Sequence, residues 1–263
     1  MDSGPILIAN DDHGVTTVTL NRPAVRNALD QSIVTALHDA ITRLRDDENT
    51  GILVLRGAGK SFCAGADLGW MRRMADFSED QNYADAMRLA ELLQALDQFP
   101  KPTLACVHGH SFGGGVGLVA CCDIALASDT ALFSLSEVKL GLIPGVISPF
   151  VVNAIGARAA RRYFQSGERF YAAEALRIGL VHGVADPAEL EGAVAACVAA
   201  LLKGGPHAQA AAKQLIDAVR SAPLDQSLMD DTARRITRAR LSEEGREGVA
   251  AFLEKRLPRW RRR

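Results

Sequence analysis

The chain has no excess of charge of either sign. Thirty basic residues against 31 acidic ones leave a net charge of -1 over 263 residues, so no global field draws it to nucleic acid or to an anionic membrane. It also has no C-x-x-C pair. Its five cysteines (Cys63, Cys106, Cys121, Cys122 and Cys197) are odd in number and lie mostly in apolar runs, which argues against disulfides and a zinc site and fits a reducing compartment. No apolar run nears the roughly 20 residues of a spanning helix. The opening "MDSGPILIANDDHG" has no basic segment before its short apolar run, so no signal peptide is read there. A cytoplasmic protein with no metal, no nucleic acid and no membrane among its partners is the expectation.

No repeat or low-complexity linker divides the chain, which is long enough to bury an ample core. "ILIAN" and "GVTTVTLN", separated by "DDHG", read as a hairpin. From Asp30, an N-cap residue type, Ile33, Leu37, Ile41 and Leu44 recur at helical spacing. "GILVLRG" reads as a strand buried on both faces. Residues 79 to 99 read as a helix, "KPTLACVHG" as a strand, Gly115 to Cys121 as a short helix, and "CDIALAS" and "ALFSL" as strands. After about residue 145 only helical patterns follow, so the expectation is an α/β core with a helical C-terminal part. The basic end "EKRLPRWRRR" suits a solvated helix terminus, where cations are favoured.

The stretch "HGHSFGGGVG" at 108 to 117 supports three chemistries. Gly109-His110-Ser111-Phe112-Gly113 matches a G-x-S-x-G nucleophile elbow, between a strand and a helix as required. Asp123 or Asp186 and His182 or His207 follow as triad candidates, yet no H-G-G-type oxyanion loop precedes the serine. Gly115, Gly117 and Ala120 match a G-x-G-x-x-A dinucleotide fingerprint, but the strands that follow end without the acidic residue that motif needs. In the third reading the glycines clear space for a backbone N–H to meet developing negative charge. Two other stretches favour it. In "GKSFCAGADL" Gly65 and its small neighbours let the Ala66 N–H face a ligand. In "FSLSEVKLGLIPG" a single carboxylate, Glu137, sits among apolar residues that should raise its pKa. The plainer alternatives are that the glycines allow tight packing and that Glu137 caps a helix starting near Ser136.

The segments "LNRPAVRNALD", "GKSFCAGADL", "KPTLACVHGHSFGGGVGL", "CDIALAS", "FSLSEVKLGLIPG", "RIGLVHGV" and "EEGREGVAAFLEKRLPRW", in that order over nearly the whole chain, resemble the enoyl-CoA hydratase/isomerase (crotonase) superfamily. The resemblance implies an α/β spiral of ββα units over 1–200. A helical region at 201–263, without a sharp boundary, would build homotrimers or homohexamers. It implies an acyl-CoA thioester as substrate, coenzyme A entering as part of it and no separate cofactor. By the same resemblance the catalytic set is Glu137 with the backbone N–H groups of Ala66 and Gly114, and Arg26, Ala64, Asp67, Leu68 and Gly113 line the CoA and substrate channel. Two-carboxylate hydratases of the superfamily carry a second Glu where this chain has Gly117.

The expected activity is hydration of a C2=C3 enoyl-CoA double bond. The run "GVGLVACCDIALAS" with "IPGVISPFVV" looks most like bacterial hydratases of branched, carboxylated enoyl-CoAs of the methylglutaconyl type. Isomerase or hydratase-lyase chemistry on the same scaffold is the nearest alternative, followed by a serine hydrolase acting through Ser111 and a non-catalytic binder of CoA or RNA. For a second carboxylate on the substrate the candidate cations are Arg72, Arg73, Arg88, Arg161 and Arg162. His108 and His110 read as structural.

Overall fold

The computed structural model describes residues 4–261. The hairpin forms as expected from β1 (Ile6–Asn10) and β2 (Val15–Leu20). Asp11 closes it, its Oδ1 accepting from the His13 and Val15 amides at 2.9 and 2.8 Å. The helix α1 (Gln31–Arg45) starts at Asp30, whose side chain accepts from the Ser32 and Ile33 amides. Its stripe of Ile33, Leu37, Ile41 and Leu44 is buried. Then come β3 (Ile52–Gly57), α2 (Leu68–Met74), α3 (Glu79–Asp97), β4 (Thr103–Val107), β5 (His110–Phe112), α4 (Gly114–Cys121), β6 (Ile124–Ser128) and β7 (Leu132–Ser134). The second half runs α5 (Ser148–Ser166), β8 (Arg169–Tyr171), α6 (Ala172–Arg177), β9 (Gly183–Ala185), α7 (Leu190–Leu201), α8 (Pro206–Arg220), α9 (Gln226–Leu241) and α10 (Glu243–Leu253).

A six-stranded sheet in the order β1-β2-β3-β4-β6-β9 is parallel beyond the β1–β2 hairpin. It is covered on both faces, which is why β3 reads as an unbroken apolar run. Leu53 and Leu55 join the main core with Leu37, Leu93 and Leu96 on one side. Ile52 and Val54 meet Leu190 and Val194 of α7 on the other, as the two-residue alternation of a strand dictates. The small sheet β5-β7-β8 buries Phe133 stacked on Phe170, ring centroids 5.6 Å apart.

The expectation of helices alone after residue 145 is corrected by β8 and β9. One extends the small sheet and the other closes the edge of the large one. At three residues each they are too short to display a period, and they draw their pairing from partners already in place. The basic end makes ion pairs along the protein surface while Lys255, Arg259 and Arg261 stay exposed, so its charges are solvated as expected. Arg256 pairs with Glu247 and Glu254, Arg259 pairs with Glu243 and Glu247, and the Trp260 indole N–H donates to the Lys203 carbonyl at 3.3 Å. The final two arginines lie outside the described residues. Among the described residues no helix is long and apolar enough to cross a membrane.

Candidate active site

The C-terminal ends of β3 and β4 bring the Gly65–Ala66 loop beside the start of α4. Ala66 forms a parallel bridge with Leu29. The Leu29 amide donates to the Gly65 carbonyl at 2.7 Å, and the Leu29 carbonyl accepts from the Asp67 amide at 2.9 Å. Successive peptide groups of an extended segment point to opposite sides, so the Ala66 N–H is turned away from Leu29. It donates to no acceptor among the described residues. The Gly114 N–H likewise finds no acceptor there, as befits the first residue of a helix. Before it, Gly113 adopts φ 49°, a region that favours glycine. Its own amide is spent on the Ser134 carbonyl at 2.9 Å.

These two loops touch. A Cβ built on Gly113 would lie 4.0 Å from the Gly65 Cα and 3.1 Å from Glu137 Oε1. Glu137 opens a 3-10 turn, Glu137–Leu140, just after β7. It caps no helix: its Oε2 is buried and has no hydrogen-bond partner among the described residues. Burial raises its pKa above the usual carboxylate range, opposed in part by its own backbone N–H. Two unspent backbone donors beside a partnerless, hard-to-ionise carboxylate can hold a carbonyl oxygen as it gains charge while a proton moves nearby.

Of the residues expected along the channel, Ala64 and Arg26 are joined directly. The Ala64 amide donates to the Arg26 carbonyl at 3.0 Å, and Arg26 and Asn27 take consecutive left-handed conformations, φ 54° and 56°. Asn27 is buried and holds this bend, accepting from the Arg22 amide and donating to the Ala58 and Ser61 carbonyls. Asp67 is the N-cap of α2, and Leu68 is exposed. Of the candidate cations, Arg88 pairs with the buried Asp85 at 3.0 Å. Arg162 is held by Glu168, and Arg72, Arg73 and Arg161 are exposed on their helices. Sequence reasoning passed over Leu29, whose residue type carries no chemical signature, and Arg22, whose partner Asp67 lies 45 residues further along the chain.

The serine and dinucleotide readings both fail on packing. Ser111 lies in the middle of β5, opposite Phe133 and bridged to Cys63, and its buried Oγ has no partner. His182 Nδ1 accepts from the Ala125 amide, and Asp123 is bound to Thr103 and Lys213. Ser111→Ala should therefore keep near wild-type turnover of any substrate, and a fluorophosphonate probe should leave the protein unlabelled by intact mass. Gly115 and Gly117 are packing glycines. A Cβ on Gly115 would stand 2.7 Å from the Cys63 carbonyl oxygen, and one on Gly117 would stand 2.6 Å from Ile147 Cγ2. His108 contacts the Gly59 carbonyl and His110 the Ser61 hydroxyl. Burial, then the charges of Arg26 and Arg169, lower the His110 pKa, in keeping with a structural role.

Fold and site together define an α/β protein with two unspent backbone donors next to one half-buried carboxylate. The model of the family "Enoyl-CoA hydratase/isomerase" matches residues 10–263. An enoyl-CoA hydratase from Shewanella pealeana is similar at 44% identity, with 98% of this chain and 97% of that one covered and a TM-score of 0.95. An enoyl-CoA hydratase of Mycobacterium smegmatis has 34% identity, coverage of 97% and 98%, and a TM-score of 0.91. The crotonyl-CoA hydratase of Syntrophomonas wolfei is 31% identical, with 95% of each chain covered. The chain belongs to the enoyl-CoA hydratase/isomerase family.

Proposed function

We propose that the protein adds water across the C2=C3 double bond of an enoyl-CoA thioester, with Glu137 as its single acid–base carboxylate. The observation that carries this reading is the partnerless Glu137 Oε2 beside the unspent amides of Ala66 and Gly114. The two amides hold the thioester oxygen. As a water oxygen bonds to C3, ionised Glu137 takes a proton from that water, and the C2=C3 electron pair moves toward C2 and the carbonyl, giving an enolate. The amides stabilise its charge without reorganising, worth about 3–4 kcal/mol per donor by analogy with other oxyanion holes. Glu137, now protonated, returns a proton to C2. One carboxylate acting twice places both new bonds on the same face of the double bond. Coenzyme A arrives with the substrate, and Arg26, Ala64, Asp67, Leu68 and Gly113 border its path.

The substrate of this reading is a branched, carboxylated enoyl-CoA of the methylglutaconyl type, supported by the pairing of "GVGLVACCDIALAS" with "IPGVISPFVV". Assembly into trimers or hexamers belongs to the same reading. The exposed Leu241, Val249, Phe252 and Leu253 of α9, α10 and their ends give a subunit contact its apolar surface. The test is a panel of 2-enoyl-CoAs, 3-methylglutaconyl-CoA among them, incubated in heavy-oxygen water and resolved by mass. Hydration places one solvent oxygen in the product, with the carboxylated substrate turned over best. A product isomeric with its substrate and free of solvent oxygen would replace hydration by double-bond isomerisation.

A further inference from the structure

Arg22 follows β2 with its side chain 22% exposed, and its one guanidinium reaches three acceptors. Nη1 donates to the Ala28 carbonyl at 2.6 Å. Nη2 lies 3.0 Å from Asp30 Oδ2 and 3.1 Å from Asp67 Oδ2. Ala28 and Asp30 flank Leu29, Asp67 follows Ala66, and Leu29 and Ala66 are the bridged pair. Each carboxylate has a second commitment. Asp30 Oδ1 accepts from the Ser32 and Ile33 amides at the start of α1, and Asp67 Oδ1 accepts from the Gly69 and Trp70 amides at the start of α2. The guanidinium thus ties two helix starts together with the Leu29–Ala66 bridge between them. Leu29 also reaches the other donor, its Cδ1 lying 2.7 Å from where a Cβ on Gly114 would stand.

The electrostatics give this tie its force. Asp30 and Asp67 are only 16% and 14% exposed and converge on one nitrogen. Without that cation, two like charges would face each other in a poorly solvated place, where losing a partner is costly. The carboxylates are anchored to the α1 and α2 starts, so separating them would shift the Ala66 amide against the Gly114 amide. An oxyanion needs both donors at about 2.7–3.1 Å.

We infer that Arg22 is a positioning residue that sets the Ala66 amide against the Gly114 amide through Asp30 and Asp67. This rests on those two amides being the donors that polarise the thioester. Its test uses the intact protein with Arg22→Met, which keeps a long side chain without charge, and Arg22→Lys, which keeps the charge but loses the planar fork. The probe is 4-dimethylaminocinnamoyl-CoA, whose absorption moves to the red as its thioester carbonyl is polarised, independently of any step at Glu137. Wild type should bind it with a red shift, and Arg22→Met should bind it with that shift largely lost. On an enoyl-CoA turned over by wild type, kcat of Arg22→Met should fall roughly 10–100-fold, the scale of an ångström-sized misplacement, while KM stays near wild type. Arg22→Lys should lie between the two, and it alone decides if Arg22→Met does not fold. A full red shift and wild-type kcat in a folded variant, or lower thermal stability with both unchanged, would overturn the inference. A wild-type protein that binds the probe without any red shift would remove the donor assignment itself.

Discussion

Glu137→Gln should lower turnover of the preferred enoyl-CoA by about 10²–10⁴-fold, the usual contribution of a positioned acid–base group, with acyl-CoA binding retained. The amide is nearly isosteric, and Glu137 Oε2 makes no hydrogen bond among the described residues that the substitution would break. The fold should therefore lose nothing and could gain stability, because a neutral side chain avoids the cost of burying a charge. Steady-state kinetics with a parallel binding titration check the point. Retained turnover in a folded Glu137→Gln protein would end the single-carboxylate mechanism. The two amides remain in the variant, so its bound chromophoric thioester should still shift to the red.

The same carboxylate fixes the pH dependence. Burial raises the Glu137 pKa above its ordinary 4.5, and the group must be ionised to accept a proton from water. The acidic limb of the kcat/KM profile should therefore lie above the range of an ordinary glutamate, with the rate rising as pH rises through the raised pKa. For stability the sign is opposite. At a pH between the ordinary and raised values the unfolded chain has given up this proton while the native state still holds it. Glu137 thus costs the fold stability progressively as pH climbs through that interval, after which the penalty is constant. Glu137→Gln removes both the limb and the penalty.

How far this site was legible in the sequence depends on what each residue does. Asp30 and the stripe Ile33, Leu37, Ile41 and Leu44 announced α1 because a cap and a 3.6-residue period are local signals. The apolar run of β3 announced a strand covered twice. Short β5, β8 and β9 carry no such signal, because three residues pair only when the neighbouring strand is already present. Missing β5 is what kept Ser111 alive as a nucleophile: a strand residue with a buried hydroxyl looked like a turn residue in the G-x-S-x-G frame. Glu137 was legible as a carboxylate among apolar neighbours. The Arg22, Asp30 and Asp67 arrangement was not, since it joins three positions 8 and 37 residues apart by geometry alone.

Restoring a second carboxylate by Gly117→Glu alone should fail, and the reason is Ile147. A Cβ on Gly117 would lie 2.6 Å from Ile147 Cγ2 and 3.1 Å from Ile147 Cβ, with Leu93 Cδ2 at 3.5 Å. A Leu tip can swing away, but the branch at Ile147 is tied to a main chain buried at the start of α5. Overpacking of this kind costs about 1–3 kcal/mol, and the new carboxylate adds the cost of entering an apolar wall. Gly117→Glu should therefore melt lower than wild type and gain no hydratase activity on an uncarboxylated substrate such as crotonyl-CoA. Ile147→Ala alone should also be destabilised, by the cavity it leaves, at about 2–5 kcal/mol for a buried large-to-alanine change. The two changes share one volume, so together they should cost less than their sum. The double variant should also hydrate crotonyl-CoA faster than either single one, because only there can two carboxylates flank the same water. Thermal melts and crotonyl-CoA kinetics on the four proteins decide it. Additive losses, or a Gly117→Glu protein as stable as wild type, would show that Ile147 does not govern the position. The glycine at 117 is then best understood with its neighbour: Ile147 fills the space where a second carboxylate would start.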